Sequence, residues 1–280
     1  MSLWVLNTAG VEITINLKSP ESHDLLQSLV SDMGAQPVKR SKGAVLRVAG
    51  RAGKWQLHDK AADIDRTLKL EGDLIYHLTD RVVFHVANNA DGVHCIHAAA
   101  VSYQGGVIIV PAKSGAGKST FTAWLVANGF QYVTDELILI NADMSVQGIA
   151  RPIQIKANGI DAIRNLLRNS EYFEGSLANA IAPQCLGGEM AEPGGNRLAA
   201  FVFPQYTKGS QCEFSELSSA AAGLQLMNNH VNARNLEDHG FRTMMALVRS
   251  TPRYELNYGG FDTLPDDFAN RLKGICQATT

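Results

Sequence analysis

Along its 280 residues the chain changes hydrophobic period repeatedly, and each change predicts an element. Val11–Leu17 alternates apolar and polar side chains as a strand with one buried face does, and residues 21–33 then recur at helical spacing. Short strands are expected at 44–48 and 54–58, joined as a hairpin through Gly50 and Gly53. From 71 to 88, Leu74, Ile75, Leu78, Val82, Val83 and Val86 lie three and four residues apart, which predicts an amphipathic helix. Residues 94–101 read as a strand, Gln104-Gly105-Gly106 as a turn, and 107–110 as a strand buried on both faces, its run being continuously apolar and β-branched.

The same reading continues to the C-terminal end. It predicts a helix at 119–128 closed by Gly129, strands at 130–133 and 137–140, a helix at 159–168, and a strand at 198–203 stopped by Pro204. Helices are expected at 217–231, 238–249 and 266–276, with a last strand at 254–258. Residues 170–196 are rich in Gly, Ala, Glu and Pro, and predict a long loop with the character of a lid or substrate-ordering segment. The alternation of strands and helices places the chain in the α/β class. Two units are expected: an accessory α/β domain over 1–70, which shapes a cleft or mediates assembly, and a catalytic domain over 71–280.

The chemistry is concentrated after the buried strand. There the chain reads Ala112-Lys113-Ser114-Gly115-Ala116-Gly117-Lys118-Ser119-Thr120. This is the pattern of a phosphate-binding loop, with Ala112 at the first glycine position. Successive loop N–H groups and the following helix N-terminus cradle phosphate oxygens without side-chain charge. Gly115 and Gly117 supply bends that a Cβ would obstruct. Lys118 is expected to neutralise the β- and γ-phosphates of ATP, and the Ser119 hydroxyl to ligate Mg²⁺.

A second polar feature interrupts an apolar run. Thr134-Asp135-Glu136 stands between two strand-like segments, 17 residues from Lys118 to Asp135. Adjacent carboxylates between buried segments are costly to desolvate unless a cation or polar site engages them. Mg²⁺ and a hydroxyl to be activated are the expected partners. The hairpin over 94–110 would hold His97 near the same place, on the strand beside the one delivering the loop. His77 and His85 read as packing or surface histidines.

Composition narrows the partners. A formal charge of −2 gives no bulk attraction to nucleic acid or to an anionic membrane. Cys95, Cys185, Cys212 and Cys276 lack metal-ligand spacing and are expected to be free thiols. No apolar run approaches the length of a membrane span and the start of the chain lacks a basic signal region, so a cytoplasmic location is expected.

These residues resemble the HPr kinase/phosphorylase C-terminal-domain family, and more closely its HPr-kinase-related branch. The 21 residues from His97 to Lys118 resemble that family's His-Gly strand leading to its phosphate loop, and Thr134-Asp135-Glu136 is similar to its Ala-Asp-Asp signature. The stretches IHAAAV, RPIQIK and AAFVFPQY resemble the related branch, over roughly residues 92 to 265. The resemblance implies a P-loop kinase core of HPr-kinase/PEP-carboxykinase type and Mg²⁺- and ATP-dependent phosphorylation of a serine hydroxyl in a protein or peptide. It implies Asp135 as proton acceptor and, by analogy alone, a homo-oligomer. Thr120 stands where true HPr kinases carry glutamate, and their second signature is not recognisable, so the reverse, pyrophosphate-forming reaction is not implied.

On this reading His97 would hydrogen-bond Asp135 or a γ-phosphate oxygen, and Glu136 would serve the metal or support it. Arg151, Lys156 or Arg197 would offset charge on the transferred group. The alternatives are a small-molecule kinase or carboxykinase-like transferase, and a nucleotide-binding regulatory module that transfers nothing. Asp135 discriminates, because a sensor has no use for a base on the acceptor side.

Overall fold

The computed structural model describes residues 2–113, 115–156, 159–169, 171–192 and 194–278. Over them the chain is mixed α/β. The alternation of Val11–Leu17 comes from the middle of a six-stranded sheet. Its elements are β1 (Ser2–Thr8), β2 (Val11–Leu17), α1 (Pro20–Asp32), β3 (Gln36–Val38), β4 (Ala44–Arg51), β5 (Lys54–Asp59) and β6 (Ile64–Leu68), with strand order β3-β1-β2-β4-β5-β6. Register pairs Ile15 with Leu46 and Leu17 with Val48, so these side chains share one face, and α1 covers it with Leu26 and Val30. The Ser19 hydroxyl caps α1 by accepting the Ser22 N–H at 3.2 Å, and Pro20 opens the first turn.

Helix α2 (Glu71–Asn89) buries Leu74, Ile75, Leu78, Val82 and Val86 against the same face, in one apolar cluster with Cys95, Leu137 and Leu139 from the next sheet. Asp59, with no solvent exposure, fixes it there. Its Oδ2 lies 2.8 Å from His85 Nε2 and 3.9 Å from Arg81, while Oδ1 accepts the Ala61 N–H at 3.1 Å. His85 is therefore a packing histidine.

The second sheet has eight strands. In chain order the elements are β7 (His94–Tyr103), β8 (Gly106–Pro111), α3 (Lys118–Ala127), β9 (Gln131–Thr134), β10 (Leu137–Ile140) and β11 (Val146–Ile149). Then follow β12 (Ile153–Ile155), α4 (Ile160–Ile163), β13 (Asn179–Ile181), β14 (Arg197–Tyr206), β15 (Glu213–Glu216), α5 (Ser219–Asn228), α6 (Phe241–Ser250), β16 (Arg253–Tyr258) and α7 (Phe268–Gln277). Strand order is β11-β10-β7-β8-β14-β16-β15, with β9 also on β7, and β12 pairs β13 in a ribbon apart. Ile108 and Val110 meet Phe121 of α3 and Leu272 of α7, while Val107 and Ile109 meet Leu226 of α5 and Val248 of α6. Coverage of both faces is why β8 is apolar throughout.

Three expectations need correction. The helix expected at 159–168 is only α4 followed by a 3-10 turn at Arg164–Leu166. The loop expected over 170–196 carries β13 and a 3-10 turn at Pro183–Leu186, and is tied to β9 where the Tyr132 N–H donates to Glu189 O (2.8 Å) and the Ala191 N–H to Tyr132 O (2.7 Å). Its members Ser170 and Pro193 lie outside the described residues. Strand β14 runs through Pro204 to Tyr206 because β8 pairs it only as far as Phe201. The missing N–H of Pro204 thus deprives no ladder partner on that side.

Two consequences are measurable. Asp59→Ala leaves the His85 and Arg81 pair without its buried anion and should lower stability in urea melts by about 3–5 kcal/mol. His94 Nδ1 and His230 Nε2 lie 3.3 Å apart in the interior. Burial depresses both imidazoles, and the His94 ring beside it helps push His230 from 6.5 down to about 4. The unfolded chain therefore takes up protons that the folded one does not, so stability is full above the ordinary histidine range and falls as pH drops through it towards about 4. Melts at about pH 7.5 and about pH 5 should show that fall, and His230→Gln should reduce it.

Candidate functional site

The register of β7 builds a cleft. On one edge Ala98 pairs with Pro111, the last residue of β8, so the Ala112–Ser119 loop leaves the sheet at that level. On the other edge β9 and β10 pair successive halves of β7, Ala100 with Thr134 and His97 with Leu137. Asp135 and Glu136 fill the break between them, and the Ala98 N–H donates to Glu136 O at 3.1 Å. The loop, His97 and the acidic pair therefore meet in one row. The loop, His97 and Glu136 border a cleft of about 500 Å³, whose walls include Lys118, Ser119, Gln154, Lys156, Tyr76 and Leu177, while Asp135 is buried behind them.

Gly115 and Gly117 both sit at φ +89°, the left-handed region that glycine enters without strain. A Cβ on Gly117 would also lie 2.8 Å from Tyr258 Oη. Gly117 opens α3, so the N–H groups of the first turn have no acceptor within the helix. Lys113, Gly115, Gly117, Lys118, Ser119 and Thr120 line the cleft. Ala112 is buried, and Ala116 O accepts the Tyr206 N–H at 3.3 Å. Ser114 lies outside the described residues.

Asp135 is fully buried and holds several partners. Its carboxylate accepts the Ser119 hydroxyl at 2.9 and 3.1 Å and the Gln154 N–H at 3.1 Å. Lys118 Nζ donates to the Asp135 carbonyl at 2.7 Å and stands 3.6 Å from the carboxylate, with Arg151 at 3.9 Å. Glu136 takes the nearer face of Arg151 at 2.5 Å and points its other oxygen at His97 Nε2, 3.6 Å away. So His97 faces Glu136, not Asp135, and Glu136 stands between Arg151 and His97 in the cleft wall. Burial, reinforced by Lys118 and Arg151 against the opposing Glu136, lowers the His97 imidazole below its ordinary range.

Of the expected charge-offsetting residues, Arg151 is buried beside the acid pair and Lys156 is an exposed cleft residue. Arg197 is elsewhere. It pairs with Gly106 at the far end of β8, five residues from Pro111, roughly 16 Å at the rise of a strand. Sequence reasoning missed Gln154 and Tyr132. The Tyr132 hydroxyl donates to Arg151 O at 2.6 Å; Gln154 is the polar residue in the strand IQI, which was the available signal, whereas Tyr132 in QYVT carried none.

The oxygens present suit a hard divalent cation. The Ser119 hydroxyl at the helix end and Glu136 in the cleft wall are oxygen donors of the kind Mg²⁺ takes, an ion that uses one or two protein oxygens and completes its shell with water and phosphate. Among the described residues no group of three or more His, Cys, Asp or Glu is placed to hold a metal. No helix among them is long and apolar enough to cross a membrane.

No protein-family model matches the chain. No curated protein matches it either. Among solved structures, it is similar to the Hpr(Ser) kinase/phosphatase from Coxiella burnetii, at 8% identity and a TM-score of 0.30, over 66% of this chain and 95% of that one. At that identity and overlap the neighbour carries no argument about fold or activity here.

The glycines are separable by experiment. Gly115→Ala meets no atom within 4 Å and should cost only the backbone penalty, about 1–2 kcal/mol in thermal or urea unfolding. Gly117→Ala adds the clash with Tyr258 and should cost more than Gly115→Ala.

Proposed function

We propose that the cleft transfers the γ-phosphoryl group of ATP to a hydroxyl, that of a serine in a peptide or protein, on a P-loop kinase core of HPr-kinase/PEP-carboxykinase type. The observation that carries this reading is the convergence of Lys118 Nζ and Ser119 Oγ, both from the helix end behind a glycine-rich loop, on the buried Asp135. A cation and a hydroxyl at a helix N-terminus suit a polyphosphate, and a carboxylate beside them suits an acceptor hydroxyl.

The loop amides and Lys118 bind the triphosphate. The Ser119 hydroxyl would hold Mg²⁺, which supplies charge neutralisation on the phosphate oxygens. When Lys118 and Ser119 turn to the nucleotide, they leave Asp135 free to face the acceptor. Asp135 takes the hydroxyl proton as the acceptor oxygen forms its bond to the γ-phosphorus. The bond from that phosphorus to the β–γ bridging oxygen breaks, and ADP leaves. Glu136 holds Arg151 in place, and Arg151 with Lys156 stabilises charge on the transferred group. His97, kept neutral by burial and its cationic neighbours, orients Glu136.

Incubation with γ-labelled ATP, Mg²⁺ and serine peptides tests the reading. Asp135→Asn should lower transfer by about a hundredfold or more while ATP affinity is kept or raised, because the triphosphate no longer takes Lys118 and Ser119 from a carboxylate. Lys118→Ala should instead weaken ATP binding by about tenfold or more in calorimetry. Tight ATP binding by the wild type without transfer to any hydroxyl would point to a nucleotide-responsive switch.

A further inference from the structure

Gln154 is 6% exposed, lines the cleft, and leaves both its side-chain atoms, Oε1 and Nε2, without a hydrogen-bond partner among the described residues. A buried amide unsatisfied at both ends is costly, roughly 1–3 kcal/mol per group. Its neighbours explain why the side chain points here. Ile153 and Ile155 on the same three-residue strand are buried in the cluster around Phe121, so alternation turns Gln154 the opposite way. Its backbone N–H is committed to Asp135 Oδ2 at 3.1 Å, which ties this part of the cleft wall to the proposed base.

The chemistry of the orphan atoms limits the ligand. An ionised triphosphate only accepts hydrogen bonds, so it could engage Nε2 and the unpartnered Arg151 Nε but would leave Oε1 bare. Oε1 needs a donor, and Nε2 beside it needs an acceptor. The backbone N–H and C=O of one extended residue, which belong to successive trans peptide groups, face the same way and pair with a side-chain amide through two roughly linear bonds; one hydroxyl serves both atoms only with bent geometry. Tyr76 and the half-exposed Leu177 line the same cleft and offer an apolar wall for a flanking side chain.

We infer that Gln154 is a specificity-determining residue, whose side-chain amide pairs with the backbone N–H and C=O of one residue, the acceptor serine or the residue after it, and so selects peptides over isolated small alcohols. The inference rests on the phosphoryl-transfer reading. Its physical consequence in the free protein is distinctive: because nothing satisfies the amide there, Gln154→Leu should leave thermal stability unchanged or raise it, whereas an amide with a structural role would lower it.

The test uses γ-labelled ATP, Mg²⁺ and a library of serine peptides blocked at both ends, followed by the best substrate and its two depsipeptides, in which an ester oxygen replaces the N–H on either side of the serine. In the wild type one depsipeptide should lose about tenfold to a hundredfold in kcat/KM. Gln154→Leu should lose a similar factor on the all-amide peptide, be indifferent to that ester, and keep its affinity for ATP. Full activity of Gln154→Leu on the peptide, or an undiminished ester penalty in that variant, overturns the assignment while leaving phosphoryl transfer standing. No label on any peptide or on a free serine control, with ATP bound, overturns the transfer reading and the assignment with it. Label on free serine and peptide at equal kcat/KM overturns the assignment alone.

Discussion

The buried carboxylate of Asp135 is the constraint from which the rest of the cleft follows. A carboxylate with no solvent exposure has lost its hydration, a cost of several kcal/mol that only close donors and cations offset. Asp135 finds them in four places: the Ser119 hydroxyl, the Lys118 ammonium, the Gln154 backbone N–H and, further off, the Arg151 guanidinium. Those groups come from the start of α3, from β12 and from the residues leading into it. One charge thus binds together segments that the sheet alone would leave independent, and the helix that presents the loop is anchored to the strand that presents the acids.

The sheet supplies the level at which this happens. Strand β7 is ten residues long, and no single neighbour covers its outer edge. Strands β9 and β10 cover it in turn, and the two residues between them, freed from the ladder, are the acidic ones. Directly across β7 the same level ends β8. Small side chains at Ala98, Ala99 and Ala100 leave room for both neighbours to pack close. A continuous strand in place of β9 and β10 would have turned one of the two carboxylates into the apolar core by simple alternation.

Much of this was legible beforehand. The loop residues, the strand before them and the helix after them follow from local period and from glycine, as does the position of Asp135 and Glu136 in an apolar run. What could not be read was pairing. Nothing local says that Glu136 meets Arg151 at 2.5 Å, or that His97 turns to Glu136 instead of Asp135. Arg197 shows the same limit from the other side: a basic residue at the start of a strand can face either end of a sheet, and only the parallel register of β14 with β8 sends it away from the loop. Short or edge strands such as β3, β6 and β15 left no period because too few of their side chains are buried.

The network also determines what a ligand must do. Lys118 and Ser119 have two claims on them, Asp135 in the free protein and phosphate oxygens on the proposed reading. Because the number of donors is fixed, a triphosphate gains its contacts by taking them from the carboxylate, so nucleotide affinity is reduced by whatever Asp135 loses. The carboxylate is then left with the Gln154 N–H and the distant Arg151, a poorer set for a buried anion. An acceptor hydroxyl restores the missing donor. On the proposed reading the two ligands favour each other's binding by linkage, and Asp135 would meet an acceptor hydroxyl only when the phosphoryl donor is in place.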